Sequence, residues 1–262
     1  FTVNGAGDIV FVDSQKLKDQ DTTTPRLDKK RWSDLVMQNG ADELADFSAL
    51  YTAEITSRTF LDANQNPIGS VSGDLKSLSL FHLTEDEEID YVDQYDLSAV
   101  DLLDLGWDLN SDGVPDLPVF WPGVPMSAEY TSRVFLKVTT GDPIGSISAD
   151  LKTLSVFHLN RDGEIDYIDQ YDLSDLNLVA LGWDRNADGV ADMPVAWPGI
   201  PTSAAYTTRV FLDASSGEPI GSVSADLRTM SVFHLNSKGE IDYIDQFDLS
   251  EVNLVAAGWD SN

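Results

Sequence analysis

The stretch FHLNRDGEIDYIDQYDLS, residues 157–174, alternates apolar and polar side chains on both sides of a short polar turn. Such alternation is typical of two β-strands that each bury one face. The stretch recurs at residues 81–98 and 233–250, a step of 76 residues each time, and a worn copy occupies residues 1–15. Self-similarity at a fixed period indicates a tandem-repeat protein. The sequence therefore predicts an all-β fold built from repeated antiparallel hairpins.

Aligning the repeats divides the chain into a degenerate N-terminal portion at 1–57, repeats at 58–132 and 133–208, and an incomplete repeat at 209–262. Each repeat holds short runs rich in β-branched and aromatic residues, LVALGWD and MPVAWPG among them, which predict about six strands in a propeller-like or stacked β-array. Residues 32–50 alternatively form a short helix. Because the chain starts and stops inside a repeat, we expect either a piece of a longer array or an N-terminal portion that completes the last repeat.

The turn of each hairpin determines which residues face each other. For the apolar residues of both strands to share a face, Leu159 has to lie opposite Ile165. This register requires a type I turn closed by Gly163 in the left-handed conformation. It also places His158 opposite Asp166, on the outer face of the hairpin.

The chain is strongly acidic, with 45 Asp and Glu residues against 16 Lys and Arg residues and a formal net charge of −29. This charge argues against binding to nucleic acid or to an anionic membrane surface, and no apolar run is long enough to insert into a bilayer. The chain has no cysteine, so a disulfide framework cannot hold its loops. We expect the partners to be cations, glycans, basic surfaces or other copies of the chain.

Two acidic loops, residues 108–116 and 184–192, carry the strongest functional pattern. DLNSDGVPD and DRNADGVAD place side-chain oxygens at positions 1, 3, 5 and 9, glycine at position 6 and a backbone carbonyl at position 7. Calcium binds roughly six to eight oxygens, and glycine permits the sharp turn that brings alternating side chains around one ion. The alternative is an acidic turn exposed to solvent. The predicted calcium ligands are Asp108, Asn110, Asp112, the Val114 carbonyl, Asp116, Asp184, Asn186, Asp188, the Val190 carbonyl and Asp192.

These loops are not EF-hands, because Val119 and Val195 stand where an EF-hand has its bidentate glutamate. GWDLNSDGVPDLPVFWPG at 106–123 and GWDRNADGVADMPVAWPG at 182–199 resemble the FG-GAP calcium loops of integrin-type β-propellers and related loops of bacterial surface repeat proteins. The resemblance implies the same ligands at the same loop positions. It also implies an acidic loop that links two strands of a β-sheet.

An aspartate interrupts the apolar face of the second hairpin strand in every copy. A buried carboxylate needs partners, because leaving it unpaired is costly. Hydrogen bonds from backbone amides of a neighbouring turn are the favoured interpretation, and a second cation ligand or a glycan contact is the alternative. The aspartates at this position are Asp13, Asp93, Asp169 and Asp245.

Histidines and tryptophans also repeat. His82, His158 and His234 share one position beside an acid on the predicted outer face, which favours weak surface pairs over a zinc site. Core or rim packing is the favoured interpretation of the tryptophans. The alternative is a glycan contact through an exposed indole face. The candidate glycan contacts are Trp121 and Trp197.

The predicted function is that of a calcium-stabilised, secreted or cell-surface protein with a structural or adhesive role, in which calcium replaces the missing disulfides. A lectin-like module with one glycan site per repeat is the alternative. A glycoside hydrolase is less favoured, because a catalytic carboxylate pair has no reason to recur in every repeat. The chain contains no thiol, phosphate loop or dinucleotide motif, and we predict that it is not an enzyme.

Overall fold

The computed structural model describes residues 1–17, 51–213, 216–236, 239–257 and 259. The alternative helix at 32–50 lies outside the described residues. The described residues form fourteen strands: β1 (Thr2–Val3), β2 (Ile9–Leu17), β3 (Tyr51–Leu61), β4 (Pro67–Ser72), β5 (Ser77–Leu83), β6 (Ile89–Asp96), β7 (Glu129–Lys137), β8 (Asp142–Ser148), β9 (Thr153–Leu159), β10 (Ile165–Asp172), β11 (Ala205–Leu212), β12 (Pro219–Ser224), β13 (Thr229–Leu235) and β14 (Ile241–Asp248).

The strands belong to one sheet whose order is the order of the chain, from β1 to β14. Neighbouring strands are antiparallel, as in the pairs β9–β10 and β10–β11. The described residues contain no α-helix, and therefore none long and apolar enough to cross a membrane. The predicted all-β fold is confirmed, and the linear strand order agrees with the β-array alternative.

Each full repeat contributes four strands, so the prediction of about six is wrong. The runs LVALGWD and MPVAWPG, at 178–184 and 193–199, form turns and irregular backbone rather than strands. Both contain glycine, and the second also contains Pro194 and Pro198, which have no N–H to donate to a sheet. These runs belong to two long connections between strands, residues 97–128 and 173–204, which we call the cover segments.

The hairpin turn follows the sequence prediction. Leu159 pairs with Ile165, Asn160 N donates to the Glu164 carbonyl at 2.8 Å, and Gly163 has a φ of 83°. The worn copy at the N-terminus also forms the expected hairpin, with Val3 opposite Ile9.

The predicted pairing of His158 with Asp166 is wrong. The register shifts between Ile165 and Tyr167, so Asp166 is an extra residue and His158 lies opposite Tyr167. A bulge of this kind moves the following residues to the other face of the strand. Consequently, His158 shares a face with Asp169 rather than lying on the outer face.

Glu87 occupies the glycine position of the turn in the first full repeat and has a φ of 66°. A side chain in this left-handed conformation costs about 1–2 kcal/mol of strain in the folded state. Glycine removes this strain, but it also makes the unfolded chain more flexible, which cancels part of the gain in stability. We expect Glu87→Gly to raise the free energy of unfolding by up to about 1 kcal/mol. Gly163→Ala, at a site where a Cβ meets nothing within 4 Å, is the reciprocal control and should lower it. Urea denaturation of both variants checks the sign, and a loss of stability in Glu87→Gly would contradict the strain argument.

The chain forms two compact units, residues 1–81 with 94–129 and residues 82–93 with 130–262. In each unit the core lies between one face of the sheet and a cover segment. On the opposite face, the Ser79 hydroxyl donates to Gln94 Oε1 at 3.0 Å. The core of the first unit contains Phe11, Phe60, Val71, Leu78, Leu97, Leu102 and Trp107, and the core of the second contains Phe135, Ile147, Leu154, Leu173, Leu178 and Trp183.

Candidate functional site

The acidic loop at 108–116 curls around the carboxylate of its first residue. Asp112 N and Gly113 N donate to the two Asp108 oxygens at 3.1 and 3.0 Å. Asp112 N also donates to Asn110 Oδ1 at 2.9 Å, so oxygens of positions 1 and 3 approach the same nitrogen. Gly113 has a φ of 84°, as the predicted sharp turn requires.

The last residue of the loop closes it. Asp116 Oδ2 accepts a hydrogen bond from Leu109 N at 2.9 Å, and Asp116 N donates to the carbonyl of the buried Trp107 at 2.6 Å. The loop is thereby tied through Trp107 to the core of its unit.

The loop at 184–192 has the same geometry. Asp184 accepts from Asp188 N and Gly189 N at 3.1 and 2.9 Å, and Asn186 Oδ1 accepts from Asp188 N at 2.8 Å. Asp192 Oδ2 accepts from the N–H of residue 185 at 2.8 Å. Two loops that differ in sequence at three positions therefore adopt one hydrogen-bonding pattern.

The oxygens that the sequence predicts as ligands lie on one curled loop in each case, but their carboxylates do not converge fully. In the described part of the chain, no three His, Cys, Asp or Glu side chains form a group placed to hold a metal ion. The donor set consists of carboxylate, amide and carbonyl oxygens, which is the chemistry calcium prefers. In the present geometry, loop amides occupy the carboxylates of positions 1, 5 and 9.

The repeated aspartate of the second hairpin strand has side-chain partners. Asp93 accepts two hydrogen bonds from Arg133 on β7, at 2.7 and 2.8 Å, and a third from the Tyr130 hydroxyl at 3.0 Å. Asp169 accepts the same set from Arg209 and Tyr206 on β11. The expectation of backbone amide partners is therefore wrong. We call these contacts the arginine–aspartate pairs.

Two of the paired arginines, Arg58 and Arg133, also reach a cover segment. Arg58, which pairs with Asp13, donates through Nη1 to the Pro118 carbonyl at 3.1 Å. Arg133 Nη1 donates to the Pro194 carbonyl at 2.8 Å. Each pair thus joins two strands and the backbone just before Trp121 or Trp197.

The pKa directions agree with this arrangement. Burial opposes the ionisation of Asp169, but the hydrogen bonds and charge of Arg209 outweigh it and lower the pKa of that carboxyl. Burial likewise opposes the charge of Arg133, yet Asp93 outweighs it and raises the pKa of the guanidinium. The Asp169 carboxylate and the Arg133 guanidinium are therefore both charged at neutral pH.

The histidines join the same clusters instead of forming outer-face pairs. His82 Nε2 lies 2.9 Å from Asp93 Oδ2, and His158 Nε2 lies 3.1 Å from Asp169 Oδ2. Each ring stacks on the tyrosine opposite it, with 4.2 Å between the centroids of His158 and Tyr167. The bulge in the hairpin causes this placement.

The candidate glycan contacts, Trp121 and Trp197, are half-buried. Trp121 lies against Gly69, where an added Cβ would clash with its indole, and its ring is 5.6 Å from that of Phe60. Trp197 lies in the same way against Gly145. Gly69 and Gly145 therefore make room for an indole, and this packing uses ring surface that a glycan would need.

Sequence reasoning missed the arginine–aspartate pairs, although a signal was present. An arginine recurs in the first strand of each repeat from residue 58 onward, as Arg58, Arg133 and Arg209, in a chain with few basic residues. One recurring base and one recurring acid on an apolar face are natural partners.

No family model and no curated protein matches the chain. The FG-GAP resemblance therefore stays a prediction. Among solved structures, a chain from "Crystal Structure of TcdB2-TccC3-TEV" is similar at 9% identity and a TM-score of 0.28, over 74% of this chain and 8% of that chain. At this TM-score the likeness carries no argument about fold or function.

Proposed function

We propose that this protein is a calcium-stabilised structural or adhesive repeat protein that acts outside the cell or at its surface. Each acidic loop binds one calcium ion through the side-chain oxygens at positions 1, 3, 5 and 9 and the carbonyl at position 7. On binding, the ion draws the carboxylates together in place of their loop amide bonds, and it offsets the repulsion among three aspartates in each loop.

The observation that supports this proposal is the identical curl of the two loops. In both, the first carboxylate accepts the N–H groups of positions 5 and 6, and the ninth residue closes the loop onto the carbonyl of a buried tryptophan. Ligating carboxylates are commonly held by hydrogen bonds of this kind. A cation in each loop would stiffen the cover segment that buries one face of the sheet.

Removal of calcium should lower the melting temperature. Binding to the folded state alone contributes about 2.7 kcal/mol when calcium stands a hundredfold above its dissociation constant. A chelator should therefore shift the thermal transition downward, and calcium should restore it better than magnesium, which resists a shell of so many protein oxygens. Calorimetry should give two calcium ions per chain.

Asp188→Ala should reduce the stoichiometry to one ion and leave the loop at 108–116 intact. Asp162→Ala is the matched control, because it removes an exposed acid from a hairpin turn outside both loops. If calorimetry detects no calcium and chelation leaves melting unchanged, the loops are acidic turns held by their own amides, and the calcium proposal fails.

The glycan alternative gains no support from the described contacts, because Trp121 and Trp197 pack against Gly69 and Gly145. We also propose no catalytic role. The same arginine, tyrosine and histidine partners surround Asp93 and Asp169 in two repeats, and such repetition is typical of structural groups rather than of a single reactive site.

A further inference from the structure

The face of the sheet opposite the core carries two rows of side chains that cross neighbouring strands of the second unit. Side chains alternate between the two faces of a strand, so Ser146, which lies between the buried Gly145 and Ile147, points away from the core. The strand register places its row across β7 to β12: Val134, Ser146, Ser155, Gln170, Thr208 and Ser224. A second row on the same face crosses β9 to β14: Phe157, Ile168, Val210, Ser222, Ser231 and Gln246. We call this surface the open face.

Neither row of the open face contains a charged residue, although the chain has 45 acidic residues and a formal net charge of −29. The cover segment at 173–204, on the other side of the core, instead exposes acids such as Asp175 and Asp188. Depletion of charged side chains is the compositional signature of the centre of an interface. The open face therefore has the composition of a surface that becomes covered.

Covering the open face would cost little in lost hydrogen bonds. The Thr208 hydroxyl donates to the Val223 carbonyl at 3.0 Å, and the Ser224 hydroxyl donates to Asp226 at 2.7 Å. Hydroxyl groups that already have a partner within the chain stay hydrogen-bonded when water is excluded. The half-buried apolar side chains of the second row would meanwhile lose their remaining contact with water, which favours association.

The second row is complementary in size to itself. Its side chains decrease from Phe157 and Ile168 at one end to Ser222 and Ser231 towards the other. A two-fold axis between two open faces, parallel to the strands, reverses the row in the second copy. The large residues of each copy then lie over the serines of the other, as two sheets that interdigitate about 10 Å apart require.

The open face is also large enough for a stable dimer. It extends from β7 to β14, and these strands are six to nine residues long. With about 4.8 Å between strands and about 3.3 Å per residue, it covers roughly 750 Å² or more. A typical stable interface buries about 800 Å² on each partner.

We propose that the open face binds the open face of a second copy of this chain, forming a two-fold dimer of packed sheets. A second copy is the partner because its rows match these rows in size. Contact through uncharged rows also keeps the acids of two strongly negative chains apart. The dimer uses neither the acidic loops nor the cover segments, so this proposal is independent of calcium binding.

Sedimentation velocity of the full chain tests the proposal. At concentrations from about 1 µM to about 1 mM, it should show a reversible equilibrium between monomer and dimer. Raising the ionic strength should strengthen the dimer, because salt screens the repulsion between acidic copies and this contact has no ion pair to lose. At high ionic strength a calcium chelator should leave the dimer in place, because the acidic loops do not belong to the open face.

A glutamate placed in the open face locates the contact. Ser155→Glu should weaken the dimer by about tenfold or more, because it buries a carboxylate in the middle of an uncharged interface. Ser203→Glu is the matched control, since it adds the same charge at an exposed position of the cover segment, and it should leave the dissociation constant unchanged. Circular dichroism confirms that both variants fold. Ser231→Glu, on β13, should act like Ser155→Glu and serves in its place if that variant is unfolded.

A chain that stays monomeric over the whole concentration range would overturn the proposal. So would a dimer that salt weakens, or one that Ser203→Glu disrupts as much as Ser155→Glu, because the contact would then lie on another surface. A dimer that a chelator dissociates at high ionic strength would overturn it as well. That last result would leave calcium binding by the acidic loops standing, whereas a dimer unaffected by calcium says nothing against the open face.

Discussion

Trp183→Ala should lower the free energy of unfolding by about 3–5 kcal/mol, the usual cost of removing a buried aromatic side chain. Trp183 is 7% exposed and belongs to the core of the second unit, where the cover segment meets Phe135, Ile147 and Leu154. Its loss leaves a cavity at the point where the acidic loop is tied to the core. Urea denaturation followed by far-UV circular dichroism measures the change, since that signal does not depend on the tryptophan removed.

Trp259→Ala is the matched control. Trp259 occupies the same repeat position and makes the same backbone turn, but it is 43% exposed. Its replacement should cost no more than about 1 kcal/mol, as substitutions outside a packed core usually do. Equal losses for the two variants would contradict the assignment of the 173–204 segment as a core layer.

The repeat and the hairpin turn were predictable because both depend on local rules. Identical stretches at a fixed step predict identical strands, and a glycine two residues before an apolar run predicts the left-handed closure seen at Gly163. Leu159 and Ile165 therefore pair as expected. The bulge at Asp166 was not predictable in this way, because an extra residue leaves the apolar spacing within each strand unchanged while it moves His158 to the other face.

The cover segments were misread for a different reason. LVALGWD and MPVAWPG are apolar because they form the second layer of the core, and apolar composition alone does not distinguish a buried irregular segment from a strand. The prolines at 194 and 198 were the available signal. The sharp turn at the glycine of each acidic loop was predicted correctly. Calcium binding by these loops is still a prediction.

The arginine–aspartate pairs explain why each repeat keeps a charge inside an apolar face. Arg133 joins Asp93 on β6 to the Pro194 carbonyl of the cover segment, and its guanidinium lies 3.9 Å from the centre of the Tyr91 ring. A single side chain thus fixes the register of two strands and the position of the layer above them. Hydrophobic packing alone would not specify that position, because apolar contacts have no direction.

Arg133→Ala should therefore destabilise the protein by about 3–5 kcal/mol, because it leaves Asp93 buried without its counter-charge. Arg209→Ala is the matched control: it removes the same contacts with Asp169, but the Arg209 side chain is 37% exposed whereas that of Arg133 is 10% exposed. Water can solvate Asp169 once Arg209 is gone, so the loss should be clearly smaller. Denaturation of both variants gives the comparison.

A double variant separates the cost of an orphaned charge from the value of the pair itself. Arg133→Met combined with Asp93→Leu removes both charges and fills most of the volume of the two original side chains. A protein whose buried ion pair is replaced by apolar residues in this way often loses little stability. We expect the double variant to be more stable than Arg133→Ala and to show strong coupling in a double-mutant cycle. If instead the losses simply add, or if Arg133→Ala costs no more than Arg209→Ala, then Asp93 does not depend on Arg133 for its place in the core. The register of the cover segment would then have to be fixed by the indole on its glycine.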